Sequence, residues 1–258
     1  MNNDQDKKQC TLRVYPLPSM AEPSQLRGTA AVVIDVLRAT TVFTVATHSG
    51  VREIIPVLDI ETAQQLKKNY PPGEVVLGGE RLCLPIEGFD LGNSPQHYTP
   101  EMVSGKTLII TTTNGTVAMH AAKPARSIYI ASFLNARAVV EQLQNEDNIA
   151  ILCAGTNGKE SEEDLLLAGC LAARLTARRN YQLNDDAGRV ASLWHEPKDA
   201  DELATLLFTT TGGKAVLRLG LEPDLIASAQ LDTMDIVPQL GGRTVSPMKT
   251  VRHSRHPL

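Results

Sequence analysis

The chain has 258 residues, 42% hydrophobic but only 4% aromatic, with a formal net charge of −4. That charge argues against a nucleic-acid partner, which calls for a basic patch, and no apolar run is long enough to cross a bilayer. The polar start at residues 1–8 lacks the apolar stretch of a secretory signal, and Cys10, Cys83, Cys153 and Cys170 form no C-x-x-C pair. The reading is a cytoplasmic protein in a reducing compartment, without structural zinc or a disulfide framework.

Taken in chain order, residues 1–10 read as a loose tail and Leu12–Tyr15 as a strand, stopped by Pro16 and Pro18. Ala30–Ile34 is a buried strand, and a helix from Thr40 to His48 ends at Gly50, a good residue for the left-handed turn after a helix. Glu53–Val57 reads as a strand, then Ile60–Asn69 as a helix capped by Asp59. Val75–Leu77 is a strand. Residues 78–100 lack periodicity, and a loop of that length is usually functional or disordered; Leu82, Leu84, Ile86, Phe89 and Leu91 argue for order. Next come a helical turn at Pro100–Ser104, a strand at Thr107–Ile110 and a helix at Val117–Ala122. A strand at Ser127–Ala131, a helix at Ala136–Gln144, a strand at Ile149–Cys153 and a long helix at Glu162–Ala177 follow. Helices at Asp185–His195 and Ala200–Thr209 precede a break at Gly212-Gly213, then Ala215–Gly220 and Glu222–Ser228. Ile236–Pro238 is a last short strand, and the basic end from Gly241 is read as loose. Alternating strands and helices give an α/β fold, a mostly parallel sheet layered between helices. The aromatic-poor core suits strands covered on both faces. A single domain over residues 1–258, with tails at 1–10 and about 243–258, is the simplest organisation.

Three strands end in polar loops, where ligands of parallel α/β sheets bind. After Ile34 comes Asp35-Val36-Leu37-Arg38-Ala39-Thr40-Thr41. The carboxylate of Asp35 could hold Mg²⁺ or attack phosphorus, Arg38 could clamp an anion bidentately, and Thr40 and Thr41 open a helix. The simpler alternative is a capping Asp with Arg38 paired to it on the surface. Phosphatases of the haloacid-dehalogenase type also place Asp after a hydrophobic strand, but carry a second acid two residues on. Leu37 stands there in this chain, so a phosphoaspartyl intermediate at Asp35 is the second choice of mechanism.

After Ile110 comes Thr111-Thr112-Thr113-Asn114-Gly115-Thr116, which lacks the spacing and lysine of a phosphate-binding P-loop. Thr112, Thr113, Asn114, Gly115 and Thr116 can nonetheless offer hydroxyls, an amide and backbone N–H groups at a helix start. After Cys153 comes Ala154-Gly155-Thr156-Asn157-Gly158, then Glu160 to Asp164. Three acids in a helical first turn complement its dipole; Glu163 or Asp164 could also complete a metal site. Glu80 is a further ligand or base, while Asp90 reads as a structural cap. Cys153, Cys83 and Cys170 read as core residues. Residues 108–115 and 151–158 share a strand end and Thr-Asn-Gly at a separation of 43 positions. They are either a duplicated βα unit or the same turn chemistry used twice, the latter being preferred.

Together these motifs resemble the 2-phosphosulfolactate phosphatase family, the Mg²⁺-dependent enzymes of coenzyme M biosynthesis. The resemblance is carried by residues 34–41, Gly79-Glu80, residues 88–95, residues 111–116, Cys153-Ala154-Gly155, and Glu163-Asp164 with Ala168-Gly169. A weaker match covers Gly213 to Asp224. It implies a fold peculiar to the family and hydrolysis of 2-phospho-3-sulfolactate, or a close analogue, to sulfolactate and phosphate. On this reading Asp35, Arg38 and Glu80 are catalytic, and Asp35, Glu80, Glu163 and Asp164 supply oxygens to Mg²⁺, which usually takes one or two carboxylates plus water. Thr40, Thr41, Asn93 and residues 112–116 bind substrate, and Arg81 meets its second anion. The expected partner is a small phosphorylated anion, with a homodimer left open. The alternative is a non-catalytic sensor of a phosphorylated metabolite; the surplus of carboxylates favours an enzyme, because alone they would repel the ligand.

Overall fold

The computed structural model describes residues 9–247. Its strands are β1 Thr11–Tyr15, β2 Ala30–Ile34, β3 Glu53–Pro56, β4 Val75–Arg81, β5 Leu84–Pro85, β6 Thr107–Thr111, β7 Ser127–Ala131, β8 Asn148–Cys153, β9 Gln182–Leu183, β10 Pro238–Gly241 and β11 Thr244–Pro247. Its helices are α1 Pro23–Leu26, α2 Ala39–His48, α3 Ile60–Lys67, α4 Pro100–Val103, α5 Gly115–Ala121, α6 Ala136–Leu143, α7 Glu162–Thr176, α8 Asp185–Leu193, α9 Ala200–Thr209, α10 Thr211–Arg218 and α11 Glu222–Ser228.

The strands form one sheet in the order β5-β4-β6-β3-β11-β10-β7-β2-β8-β1-β9. Two parallel blocks, β4-β6-β3 and β7-β2-β8-β1-β9, flank the antiparallel hairpin β10–β11. The fold is therefore α/β with a mostly parallel sheet, as the alternation of elements predicts.

β2 explains why the sequence reads so plainly. Its Ala-Ala-Val-Val-Ile is buried throughout and pairs on both sides, with Ile34 opposite Ala131 of β7 and Cys153 of β8. Ala30, Val32 and Ile34 pack into a cluster with α6, α7 and α8. Ala31 and Val33 face the other way, onto Val42, Phe43 and Ala46 of α2. Leu108 and Ile110 of β6 and Val76 of β4 join that second cluster, although β6 lies five places from β2 in the sheet. In a flat sheet five spacings of ~4.8 Å would hold these strands about 24 Å apart. The sheet instead curls around α2, which brings the carboxyl ends of its two blocks together. The threonines of α2 tolerate burial because they bond within the helix, Thr44 Oγ1 to the Thr40 carbonyl at 2.9 Å and Thr47 Oγ1 to the Phe43 carbonyl at 2.7 Å.

Some expectations are corrected. The strand predicted to stop at Leu77 continues to Arg81, and Asp90 supports it by accepting from the Leu77 N–H at 2.8 Å. The helix expected at Val117 starts at Gly115. Gly212-Gly213 do not break the chain but lie in the first turn of α10, where the Gly213 N–H donates to the capping Thr210 Oγ1 at 2.9 Å. The end read as loose contains β11, with Val245 opposite Ile54 of β3; the remainder of both predicted tails, residues 1–8 and 248–258, lies outside the described residues. The two Thr-Asn-Gly runs diverge. One enters α5 directly, whereas Asn157 and Gly158 take positive φ of 52° and 72° in a tight turn, bridged by Thr156 and Lys159. The likeness therefore stops at the strand end and the turn residues.

Candidate active site

Curling the sheet gathers the loops after β2, β4, β6 and β8 around a cavity of about 90 Å³. Asp35, Arg38, Glu80, Asn93, Thr113 and Asn114 line it, with Cys83, Thr156, Asn157 and Gly212 and an apolar wall of Leu37, Leu82, Ala215 and Val216. The two halves touch directly, since the Asn157 N–H donates to Asn114 Oδ1 at 3.4 Å. A Cβ on Gly115 would stand 2.8 Å from Asp35 Oδ2 and 2.5 Å from the Ala39 Cβ. Only glycine lets the start of α5 approach this carboxylate.

Asp35 is 7% exposed. Its Oδ1 accepts from the Ala39 N–H at 3.2 Å, while Oδ2 has no hydrogen-bond donor among the described residues. Burial raises its pKa to about 7; the charges of Glu80 and Glu163 add to the rise, and the Ala39 N–H and Arg38 oppose it. Glu80 is fully engaged, with Oε1 accepting from the Thr113 N–H at 2.8 Å and Oε2 from the Cys83 N–H at 2.7 Å. It thereby pins the β6 loop to the β4–β5 hairpin.

Arg38 is 3% exposed and its partner is not Asp35. Its guanidinium donates to Asp224 of α11 at 2.5 Å, to the Cys83 carbonyl at 2.9 Å and to Ser94 Oγ at 3.4 Å. Ser94 Oγ itself donates to the same Asp224 oxygen at 2.9 Å. The surface pair considered from the sequence is instead a buried ion pair across 186 positions.

The acids that open α7 divide into separate tasks. Asp164 accepts from the Val36 N–H at 2.8 Å and the Gly155 N–H at 3.1 Å, fastening two of the loops. Burial pushes its pKa well up, with the charges of Asp35 and Glu163 adding to the effect. Glu162 accepts from the Thr211 N–H at 2.7 Å. Glu163 presses against the first turn of α10 so closely that a Cβ on Gly212 would lie 2.0 Å from its Oε1. Its Oε2 is buried without a partner, and burial raises its pKa. Glu162 and Glu163 thus meet the start of a different helix from the one they begin.

Other expected residues lie outside the cavity lining. Thr40 Oγ1 accepts from the Asp35 N–H at 3.0 Å, Thr41 Oγ1 donates to the Val36 carbonyl at 2.8 Å, and Thr112 and Thr116 bond each other. These threonines build the loops. Arg81 bonds the carbonyls of Glu80 and Leu58 and, at 2.8 Å, Thr111 Oγ1, so its guanidinium is engaged outside the cavity. Cys153 is buried, its thiol pushed well up by burial. The sequence reading took Cys83 for a core residue, whereas it is half-buried and lines the cavity, and it missed Ser94, Thr156, Asn157 and Asp224 as site residues. Asn157 carried a detectable signal in its Thr-Asn-Gly loop. Asp224 looked like an ordinary acid in a helical first turn.

Two buried polar atoms lining the cavity lack partners, Asn93 Oδ1 and Thr113 Oγ1. Buried polar groups are normally bonded, so these orphans mark a place for a polar ligand. Among the described residues no three His, Cys, Asp or Glu side chains stand together as a metal cage. The open Oδ2 of Asp35 and the buried, unpartnered Oε2 of Glu163, which lies outside the cavity lining, are the oxygens left for a cation that keeps water and takes substrate oxygens.

These features define an α/β protein with a polar pocket at the carboxyl edge of its sheet. The family model for 2-phosphosulpholactate phosphatase matches residues 15–243. Relatives bearing the name "probable 2-phosphosulfolactate phosphatase" include one from Symbiobacterium thermophilum, 41% identical over 215 residues, covering 83% of this chain and 92% of the relative. Those from Clostridium novyi and Caldanaerobacter subterraneus are 38% and 37% identical over 216 and 231 residues, covering 83% and 89% of this chain and 90% and 95% of the relatives. The chain belongs to the 2-phosphosulpholactate phosphatase family, whose members are phosphoric monoester hydrolases.

Proposed function

We propose that this chain hydrolyses the phosphate ester of 2-phospho-3-sulfolactate, or a close analogue, with Mg²⁺ bound at Asp35 and Glu163. The observation that carries the reading is the open Oδ2 of Asp35, beyond β2 and facing loops rich in donors. Arg38, the cation that lines the cavity, is already paired with Asp224. A substrate carrying phosphate, carboxylate and sulfonate would meet Asp35, Glu80 and nearby Glu163, and an added cation would relieve that repulsion. Bound Mg²⁺ would neutralise phosphoryl charge and lower the pKa of a coordinated water for in-line attack.

The chain's own groups do the rest. Thr113 Oγ1 and the amides of Asn114 and Asn157 supply donors to phosphoryl oxygens. Glu80 holds the Thr113 backbone in place. Asp224 and Ser94 orient Arg38 toward the ester. Leu37, Leu82, Ala215 and Val216 exclude water on one side. Attack of water forms one P–O bond as the ester P–O bond breaks, and the hydroxy acid leaves with a proton. Cytoplasmic location belongs to the same proposal; among the described residues no helix is long and apolar enough to cross a membrane.

Phosphate release from 2-phospho-3-sulfolactate should require Mg²⁺ or Mn²⁺ and stop with EDTA. Turnover that persists in EDTA would remove the metal from the proposal. Tight binding without release under any metal would leave a sensor.

A further inference from the structure

A larger cleft, about 540 Å³, lies at the same edge of the sheet but on the far side of α5 from the active site. It opens between α3, α5, the end of β3 and the turn joining β10 to β11. Its volume falls within the range of about 300–1,000 Å³ typical of small-molecule sites. Ile55, Leu58, Met119 and Leu240 give it an apolar lining, and Lys123 and Arg243 stand exposed among its lining residues. Among the described residues neither cation forms an ion pair; Lys123 Nζ meets only His120 Nδ1, at 3.1 Å. The one acidic residue in the lining, Glu53, already accepts from Thr107 Oγ1 at 3.2 Å.

We infer that this cleft is a second ligand site, for a small molecule with an apolar body and one anionic head. The apolar lining rewards burial of the body at roughly 25 cal/mol per Å², and the two unpaired cations select the sign of the head. The site stands apart from the phosphatase chemistry. It is linked to that chemistry through α5, whose preceding loop holds Thr113 and Asn114 and whose body presents Thr116, Met119 and His120 to the cleft, and through Leu58, whose carbonyl accepts from Arg81 beside Glu80.

The test uses the full chain and anilinonaphthalene sulfonate, an aromatic body with a single sulfonate. Binding should saturate at one molecule per chain, and inorganic phosphate should not displace it. The paired substitutions Lys123→Glu and Arg243→Glu should weaken it by about tenfold or more, while leaving binding of neutral anilinonaphthalene unchanged. Leu58→Asp should weaken both probes. All three positions are exposed, so melting temperatures should stay near wild type. Amide exchange in the unmodified protein should slow at residues 55–58 and 119–123 on addition of the sulfonate. Absence of saturable binding, displacement by phosphate, or affinity indifferent to the charge reversals would each overturn the proposal.

Discussion

Asp35 and Asp164 are both buried carboxylates within one corner of the molecule, and burial raises the pKa of each. They are finished differently. Both oxygens of Asp164 accept backbone N–H groups, from Val36 and Gly155. Asp35 has one such bond and leaves Oδ2 open. A buried acid with its lone pairs met by the backbone holds loops in place. One with an oxygen left open, near Glu80 and Glu163, is set for a ligand. Residue type and burial alone do not separate the two.

The largest effect expected is at the open acid. Asp35→Asn should lower kcat/KM by about 10³-fold or more, with a melting temperature equal to or above wild type because a buried charge is gone. Excess Mg²⁺ should recover part of the rate. Labelled phosphate trapped on Asp35 in the unmodified enzyme by acid quench would replace the metal role with a nucleophilic one.

Next comes the arginine that sits beside Asp35 but is balanced elsewhere. Arg38→Ala should cost about 2–4 kcal/mol of transition-state stabilisation. Asp224→Asn leaves Arg38 buried without its counter-ion and should cost about 3 kcal/mol of stability as well. Kinetics and denaturant unfolding on the same samples separate the two effects. Wild-type kinetics in both variants would reduce the pair to a structural brace.

Asp164→Asn sets an amide NH₂ against a backbone donor and should lower stability by about 1–3 kcal/mol, with only a small change in kcat/KM for the folded protein. A large kinetic loss at full stability would erase the distinction between the two acids.

The smallest effect is in the pH dependence of the metal-free protein. Asp35, raised to about 7, and Asp164 and Glu163, also raised by burial, bind protons more tightly folded than unfolded. The folded state then holds more protons between the unfolded value near 4 and about 7, so stability falls as pH rises through that window. In EDTA the melting temperature should be lower at about pH 8 than at about pH 5, and Asp35→Asn should flatten the slope. A melting temperature that climbs over this interval would show that these carboxyls are solvated.

Much of this was legible in the sequence because it is local. A run such as Ala-Ala-Val-Val-Ile followed by Asp35 announces a buried strand and its carboxyl end, and Asp59 before Ile60 announces a cap, which accepts from the Thr62 N–H. What escaped depends on the curl of the sheet. No spacing reveals that Arg38 meets Asp224, that Glu162 and Glu163 meet the start of α10, or that Asn157 touches Asn114. Arg81 directly follows Glu80 in a strand, where alternate residues face opposite ways; that rule could have warned that it would not share the cavity. β11 has a local partner in β10, but its second neighbour, Ile54 of β3, lies 191 positions away and no spacing announces it.

That hairpin has a consequence for how the molecule is made. β3 and β7 are far earlier in the chain than the β10–β11 segment that lies between them. During synthesis the two parallel blocks can each begin to pair, but the seam joining them is missing until residues 238–247 leave the ribosome. Contacts of such long sequence separation form slowly, and until then the facing edges of β3 and β7 stay unpaired and open to other chains. The nascent protein therefore carries open strand edges at what becomes the middle of its finished sheet, a place that needs shielding only while the chain is being born.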